Sequence, residues 1–453
     1  MKINLEKSIS YACVALIVLE ALMLCVWQTD LLFAAQDFTV WHSTAEHFGK
    51  CIAQPLGLLL WLSAFLTQFF YYPYLGIAIM LAMWLMSYFG ISYGFRVPVR
   101  LRPLIVVLVV CIQVSITQVG YWIYTLQLSG YWFFGTVLLL WVAAFSASVR
   151  KVGEIENVFF RWMMIAVISV AWILMLTPFN GMPHFNLFEG GPSSMLMPLW
   201  LGILVVAVLA FSRFAAKYDK ISLGVSVVAV VAALNWGFLM NYHNPCFRAE
   251  LRMATYVEKA DWQKIIDTEL GIDRTTTRQM QLLRDAAIIC QHAPSDSILL
   301  NPNDGYRPQM ITNPPVHMAY TGGDVVYYAF GMSNYSYRWS FENAVEFGFS
   351  PRRLRMLLRC ALLNGEWDLC RRYIARLRTT MFHSAFADEM NALVGHPEAI
   401  AAHPEFRDVK RWQAQRDILT SDNGYPEKLI IRYLPATRKV QWNFRTSEAL
   451  HTY

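Results

Sequence analysis

Apolar residues run nearly unbroken through the first half of this chain and fall into a three- and four-residue rhythm in the second. Eight apolar runs stand at 9–28, 54–70, 74–94, 103–122, 130–149, 158–177, 196–212 and 221–240. Each has about 17–21 residues, the length an α-helix needs to cross a roughly 30 Å hydrocarbon core. The first is too long for the apolar region of a cleaved leader, about 7–15 residues, and reads as a retained anchor. The run at 54–70 looks least like a span. It opens Gln54-Pro55, contains Gln68 and leads into Phe69-Phe70-Tyr71-Tyr72-Pro73-Tyr74, an aromatic cluster of the kind found at the head-group level. It is expected to lie at, or dip into, the interface.

From Asn244 onward the spacing predicts amphipathic helices. Gly365-Glu366-Trp367-Asp368-Leu369-Cys370-Arg371-Arg372-Tyr373, preceded by a predicted helix over 352–363, resembles a tetratricopeptide hairpin with its turn glycine. One period of about 34 residues upstream, Gly331 falls on Gly365. A weaker echo, Ala260-Asp261-Trp262, mirrors Gly365-Glu366-Trp367. Leu358 departs from the pattern, and Asn301-Pro302-Asn303-Asp304-Gly305 with Asn313-Pro314-Pro315 interrupts the array. The fold class expected is therefore all-α. A polytopic membrane bundle of seven or eight spans occupies 1–240, and a soluble, tetratricopeptide-like helical-repeat domain occupies 241–453.

Charge sets the orientation. Arg96, Arg100 and Arg102, then Arg150, Lys151 and Arg161, then Arg213, Lys217 and Lys220 occupy three alternating loops, while 123–129 and 178–195 hold no Lys or Arg. Positive loops stay in the cytoplasm, and Lys2 and Lys7 call for the same side. All are reconciled when one run, 54–70, fails to cross, giving seven spans and a C-terminal half outside the cytoplasm. The rival is eight spans with the N-terminus outside.

Composition removes several function classes. Of 453 residues 56% are apolar and 15% charged, against roughly 25% charged in a soluble domain. The net charge of +6 divides evenly between the halves, so no basic tail points to nucleic acid. The cysteines outside the runs are odd in number, which does not support a complete disulfide framework; Cys360 and Cys370 read either as a facing pair or as small packing residues. No phosphate loop, dinucleotide glycine motif, zinc spacing or nucleophile elbow is present.

Candidate chemistry lies in four places. Glu20 is an ionisable residue deep in a run, which marks either a proton or substrate path or a neutral carboxyl inside the bundle. Asp30, Asp37 and Glu46, with His42 and His47, lie between the first two runs; carboxylates and imidazoles there suit a general base or a divalent metal, or equally a solvated connector. The loop 177–192 offers His184 and Glu189, either capping a cavity or forming a plain turn. Arg352, Arg355 and Arg359 share a helix face, and Arg371 and Arg372 follow on the next helix. They suit an anionic ligand or lipid head groups, or a solvated surface paired with nearby acids. Gln113, Ser115, Thr117 and Gln118 read as polar contacts between helices.

The stretches Phe65-Leu66-Thr67-Gln68-Phe69-Phe70-Tyr71-Tyr72-Pro73-Tyr74, Tyr335-Ser336-Tyr337-Arg338-Trp339-Ser340-Phe341-Glu342 and Leu358-Arg359-Cys360-Ala361-Leu362-Leu363-Asn364-Gly365-Glu366 resemble a family of uncharacterised polytopic membrane proteins from Bacteroidales-type bacteria. The resemblance implies an inner-membrane location and no activity. In layout the chain is also similar to membrane glycosyltransferases that use lipid-linked sugars. That similarity implies Asp30, Asp37 or Glu46 as base or metal carboxylate and the arginines as holders of a lipid phosphate, although no paired acidic motif stands in the first outer loop. Two functions compete. One is an enzyme of envelope assembly acting on a lipid-linked substrate at the periplasmic face. The other is an anchored scaffold whose repeats bind periplasmic proteins.

Overall fold

The computed structural model describes residues 5–53, 56–124, 130–174, 197–210, 219–241, 244–272, 276–291 and 322–413. These are helical, with no β-strand among them. The chain divides into two compact units, Met1–His243 and Asn244–Tyr453.

Among the described residues ten α-helices lie in the first unit: α1 (Leu5–Trp27), α2 (Thr29–Phe38), α3 (Ala45–Ile52), α4 (Gly57–Thr67), α5 (Pro73–Gly94), α6 (Pro103–Thr117), α7 (Tyr131–Gly153), α8 (Val158–Leu174), α9 (Met197–Ala210) and α10 (Asp219–Met240). Among the described residues five helices are long and apolar enough to cross a membrane: α1, α5, α6 with its preceding turn, α7 and the apolar part of α10. That is the make-up of a polytopic membrane protein. Proline starts α5 and α6, where its missing N–H and fixed φ suit the first helical turn.

Helix directions follow from a few contacts. Arg102, beside the start of α6, donates to Ser10 Oγ near the start of α1 at 3.1 Å. At the opposite end Gln28, just past α1, donates to Asn241, just past α10. So α1, α6 and α10 run one way. Trp84 on α5 donates to Thr136 on α7 at 3.0 Å, and Gly90 and Gly94 of α5 lie against Ala143 and Ser146 of α7. Small residues at these positions let the two helix backbones approach closely. Those two helices run parallel to each other, with Arg150 of α7 donating to the Tyr93 carbonyl at their shared end.

α4 does not fit the span pattern. Its 11 residues extend about 16 Å, half the hydrocarbon thickness. Leu60 on α4 and Phe70 just beyond it both meet the beginning of α7: Leu60 at Gly130, and Phe70 ring to ring with Phe133 at 5.1 Å. The helix therefore lies across one end of the bundle.

The second unit comprises α11 (Pro245–Glu258), α12 (Trp262–Leu270), α13 (Arg278–Cys290), α14 (Gly323–Ala329), α15 (Ser333–Phe347), α16 (Pro351–Asn364), α17 (Trp367–Leu377), α18 (Ser384–Asn391), α19 (Pro397–Ala402) and α20 (Pro404–Trp412). Met253, Leu283, Val325, Leu357, Cys360, Ile374 and Phe406 belong to its shared core. Three of its helix pairs close through one and the same turn. Ala260, Gly331 and Gly365 sit at φ 51°, 74° and 75° between α11 and α12, α14 and α15, and α16 and α17. In each turn the next residue's N–H returns to the carbonyl five residues back: Asp261 to Tyr256, Met332 to Tyr327, and Glu366 to Ala361, all at 2.9 Å. The turn residue's own N–H reaches the carbonyl three back, Val257, Tyr328 or Leu362. This is the Schellman closure of a helix, which needs a left-handed residue. The three sequence echoes are thus three copies of one turn.

Candidate functional site

The polar residues of interest gather where α2 meets two short 3-10 turns, Gln68–Tyr71 and Gly120–Tyr124. α2 is anchored on its apolar face by Leu31, Leu32, Ala34 and Ala35, all buried. Phe33 meets Tyr71 at 6.1 Å and Phe38 meets Tyr124 edge-on at 5.0 Å, which docks the helix on both turns. Thr39 ends it, its hydroxyl donating to the Ala35 carbonyl at 2.6 Å.

That docking buries groups that ordinarily face water. Gln36 is 0% exposed and Asp37 4%, and Thr39, His42, Gln68 and Gln118 are buried as well. Among the described residues Gln36 Oε1 and Nε2, Gln68 Oε1 and Gln118 Nε2 have no hydrogen-bond partner. A buried polar atom without a partner costs about 1–3 kcal/mol. Beside them stands an aromatic wall. Trp41 lies 5.4 Å from Phe65 and 6.1 Å from Trp61, Trp61 and Phe65 are stacked within 7° of parallel, and Phe48 meets Trp61 edge-on at 5.1 Å. The indole N–H groups of Trp41 and Trp61 are also buried without a partner among the described residues.

The three acids expected as catalytic are thereby separated. Asp37 is in the buried cluster. Asp30 is half-buried, seven residues earlier on α2 and so on the same face about 10 Å along the axis. Glu46 is exposed on α3 and ion-paired with Lys50 at 2.5 Å. Nearby, His47 Nε2 is 3.6 Å from Cys51 Sγ and its ring lies 5.4 Å from that of His42. No three His, Cys, Asp or Glu side chains are grouped to hold a metal among the described residues. His184 and Glu189 lie outside the described residues. The amides Gln36, Gln68 and Gln118 were not foreseen as site residues; the signal available was an amide side chain inside or beside an apolar run.

On the arginine face, read above either as an anion or head-group site or as a surface paired with nearby acids, the structure shows pairing with acids inside the fold. Arg352, Arg355 and Arg359 on α16 are buried. Arg355 donates to Glu258 of α11 at 3.0 and 3.3 Å, and Arg359 bridges Glu258 at 3.3 Å and Glu405 at 3.1 Å. Burial by itself would raise the Glu258 pKa, yet Arg355 and then Arg359 outweigh it and hold the carboxyl well below the usual range. Arg353 is also buried and donates to the carbonyls of Phe347 and Gly348. Arg355 and Arg359 thus hold α11, α16 and α20 together, because a guanidinium so enclosed needs a carboxylate inside the fold. Arg371 and Arg372 on α17 remain exposed, Arg371 with Asp368 at 2.8 Å. Cys360 and Cys370 are buried free thiols, the former 3.3 Å from Ser336 Oγ, so they pack and do not pair.

A model of a family of unknown function, DUF6057, matches the chain over residues 5–121 and 92–434. No curated protein and no solved structure matches it.

Proposed function

The chain belongs to this family of unknown function, DUF6057, and from that premise we propose that it is a membrane glycosyltransferase of envelope assembly that takes its sugar from a lipid carrier. The observation that carries the reading is the set of buried amides Gln36, Gln68 and Gln118, each with an unpartnered atom among the described residues, on α2 with Asp37 and on the segments it meets, together with the Trp41–Trp61–Phe65 wall. Sugars offer hydroxyls to amide and carboxylate groups and C–H faces to aromatic rings. In this reading Gln36, Gln68 and Gln118 hold hydroxyls and the aromatic wall receives the ring face. Asp37 takes the proton of the acceptor hydroxyl as its oxygen bonds to the anomeric carbon and the lipid phosphate departs.

Orientation belongs to the same proposal. Lys7, Arg96, Arg100, Arg102, Arg150 and Lys151 gather at the end where Arg102 meets Ser10, and basic ends stay in the cytoplasm. With α4 lying across the opposite end, seven runs cross the inner membrane, and the Asp37 cluster and residues 244–453 are periplasmic.

The test is envelope-glycan profiling of cells carrying Asp37→Asn, Asp30→Asn or Glu46→Gln, with protein abundance measured. Loss of one glycan species in Asp37→Asn at normal abundance, with Glu46→Gln unchanged, is the expected result. An unchanged glycan profile in Asp37→Asn refutes the transferase. The three identical turns of the second unit favour a second reading, a tetratricopeptide-like scaffold that binds periplasmic proteins on stacked hairpins. That reading predicts that substitutions at the exposed Arg371 and Arg372 abolish function while Asp37→Asn is silent.

A further inference from the structure

Glu20 is 1% exposed within α1, and its Oε2 has no hydrogen-bond partner among the described residues. From Ser10, Glu20 is ten residues along α1, about 15 Å. α6 packs against α1 and runs the same way from Arg102, the partner of Ser10. An equal distance along α6 falls at Ile112 and Gln113. Gln113 is itself buried, its Oε1 without a partner among the described residues, and it faces Gly237 of α10.

An ionised carboxylate without a partner is unfavourable in hydrocarbon. One proton removes that charge and makes the carboxyl a donor. A hard divalent cation would need six or more oxygens, and the described residues hold no metal group. The titratable and charged groups on the elements packed against α1 are Tyr74, Tyr88 and Tyr93 on α5, Cys111 on α6, Arg100 and Arg102 at the foot of α6, and Asp30 and Asp37 on α2. Arg102 lies at the level of Ser10 and Asp30 ten residues beyond Glu20, each about 15 Å along the axis. Cys111 alone is near its level, and a thiol supplies no balancing charge.

The polar line continues. Thr117 is one turn above Gln113 on the same face of α6, and Gln118 follows at its C-terminal end. Thr117 Oγ1 and Gln118 Nε2 are likewise buried without partners among the described residues. A hydroxyl can donate and accept in turn, the property a proton-passing group requires.

We propose that Glu20 and Gln113 form a proton-binding site inside the bundle, reached through Thr117 and Gln118 from the end that carries Asp37. The proton adds to and leaves Glu20 with no change in oxidation state, and its route shares Gln118 with the site proposed for sugar transfer.

The test uses the full chain in liposomes and reads infrared difference spectra of wild type against Glu20→Gln. The expected result is a protonated-carboxyl band lost in Glu20→Gln, which declines reversibly as the pH is raised and shifts in deuterium oxide. The Thr117→Val/Gln118→Leu pair keeps the band and slows its deuterium shift at least roughly tenfold. Absence of the band at every pH, or a band that neither titrates nor exchanges, overturns the site. Exchange unchanged in the double variant overturns the route. Should Glu20→Gln fail to fold, dicyclohexylcarbodiimide, which adds to protonated carboxyls in apolar surroundings, reads the wild-type chain. An adduct on the Glu20 peptide that fades with rising pH supports the site, and no adduct overturns it. Neither readout depends on glycan synthesis.

Discussion

Replacing Glu258 by Gln tests whether the arginine cluster is structural. Its carboxylate accepts from Arg355 and Arg359 at 3.0–3.3 Å, and the three side chains are buried. Glutamine keeps the shape and removes the charge, so that Arg355 loses this carboxylate while Arg359 keeps Glu405. Removing one member of a buried pair costs about 3–5 kcal/mol, which is roughly a hundred- to several-thousand-fold in an opening constant. Amide hydrogen exchange on the full chain in detergent reads this locally: protection in α11 and α16 should fall by that factor while α1 and α5 are unchanged. A change under about tenfold would refute the reasoning. The triple replacement Glu258→Leu/Arg355→Leu/Arg359→Met should be milder than Glu258→Gln, since it also removes the stranded charges. The pH dependence has a definite sign. Because the folded carboxyl is held below its unfolded value, its contribution is complete above the ordinary range near about pH 4.3. It is lost as pH falls through the lower folded value, and Glu258→Gln should lack that acid-side decline.

Two further outcomes follow from the second unit. Ala260 holds a left-handed turn that Gly331 and Gly365 hold elsewhere. Ala260→Gly should therefore raise the thermal midpoint by the equivalent of about 0.5–1 kcal/mol, relief of strain exceeding the added chain entropy, and Gly365→Ala should lower it by about 1 kcal/mol. An unchanged midpoint in both would reject the shared-turn argument. Burial pushes the Asp285 carboxyl up to about 7 against the pull of Arg284. A raised carboxyl stabilises below its unfolded value, and that stability is lost as pH rises from about 4 to about 7. Asp285→Asn should flatten urea unfolding midpoints of the second unit across that window, and an undiminished slope would reject the assignment.

How much of this was legible beforehand depends on the range of the interaction involved. Runs such as 74–94 and 221–240 reappear as α5 and α10 almost residue for residue, because twenty apolar residues satisfy their backbone only as a helix in lipid. The oddity of 54–70 was visible in Gln54-Pro55 and the aromatic cluster, and its described part holds the 11-residue α4 followed by a 3-10 turn. The turn glycines were legible because a left-handed residue is a local requirement. Gln36 and Gln68 carried no comparable mark: an amide in an apolar setting looks the same whether it joins helices or lines a site.

By itself the sequence determined the helices, their approximate ends, the change from membrane-length runs to amphipathic hairpins, and the list of acids and arginines worth weighing. Those follow from periodicity, length and capping, which act within a few residues. The tertiary structure alone decided that Asp37 is buried while Glu46 pairs with Lys50 in the open. It decided too that Arg355 meets a carboxylate 97 residues away. A charge in a low-dielectric interior is governed by whichever group packing sets beside it, and no local pattern records that neighbour.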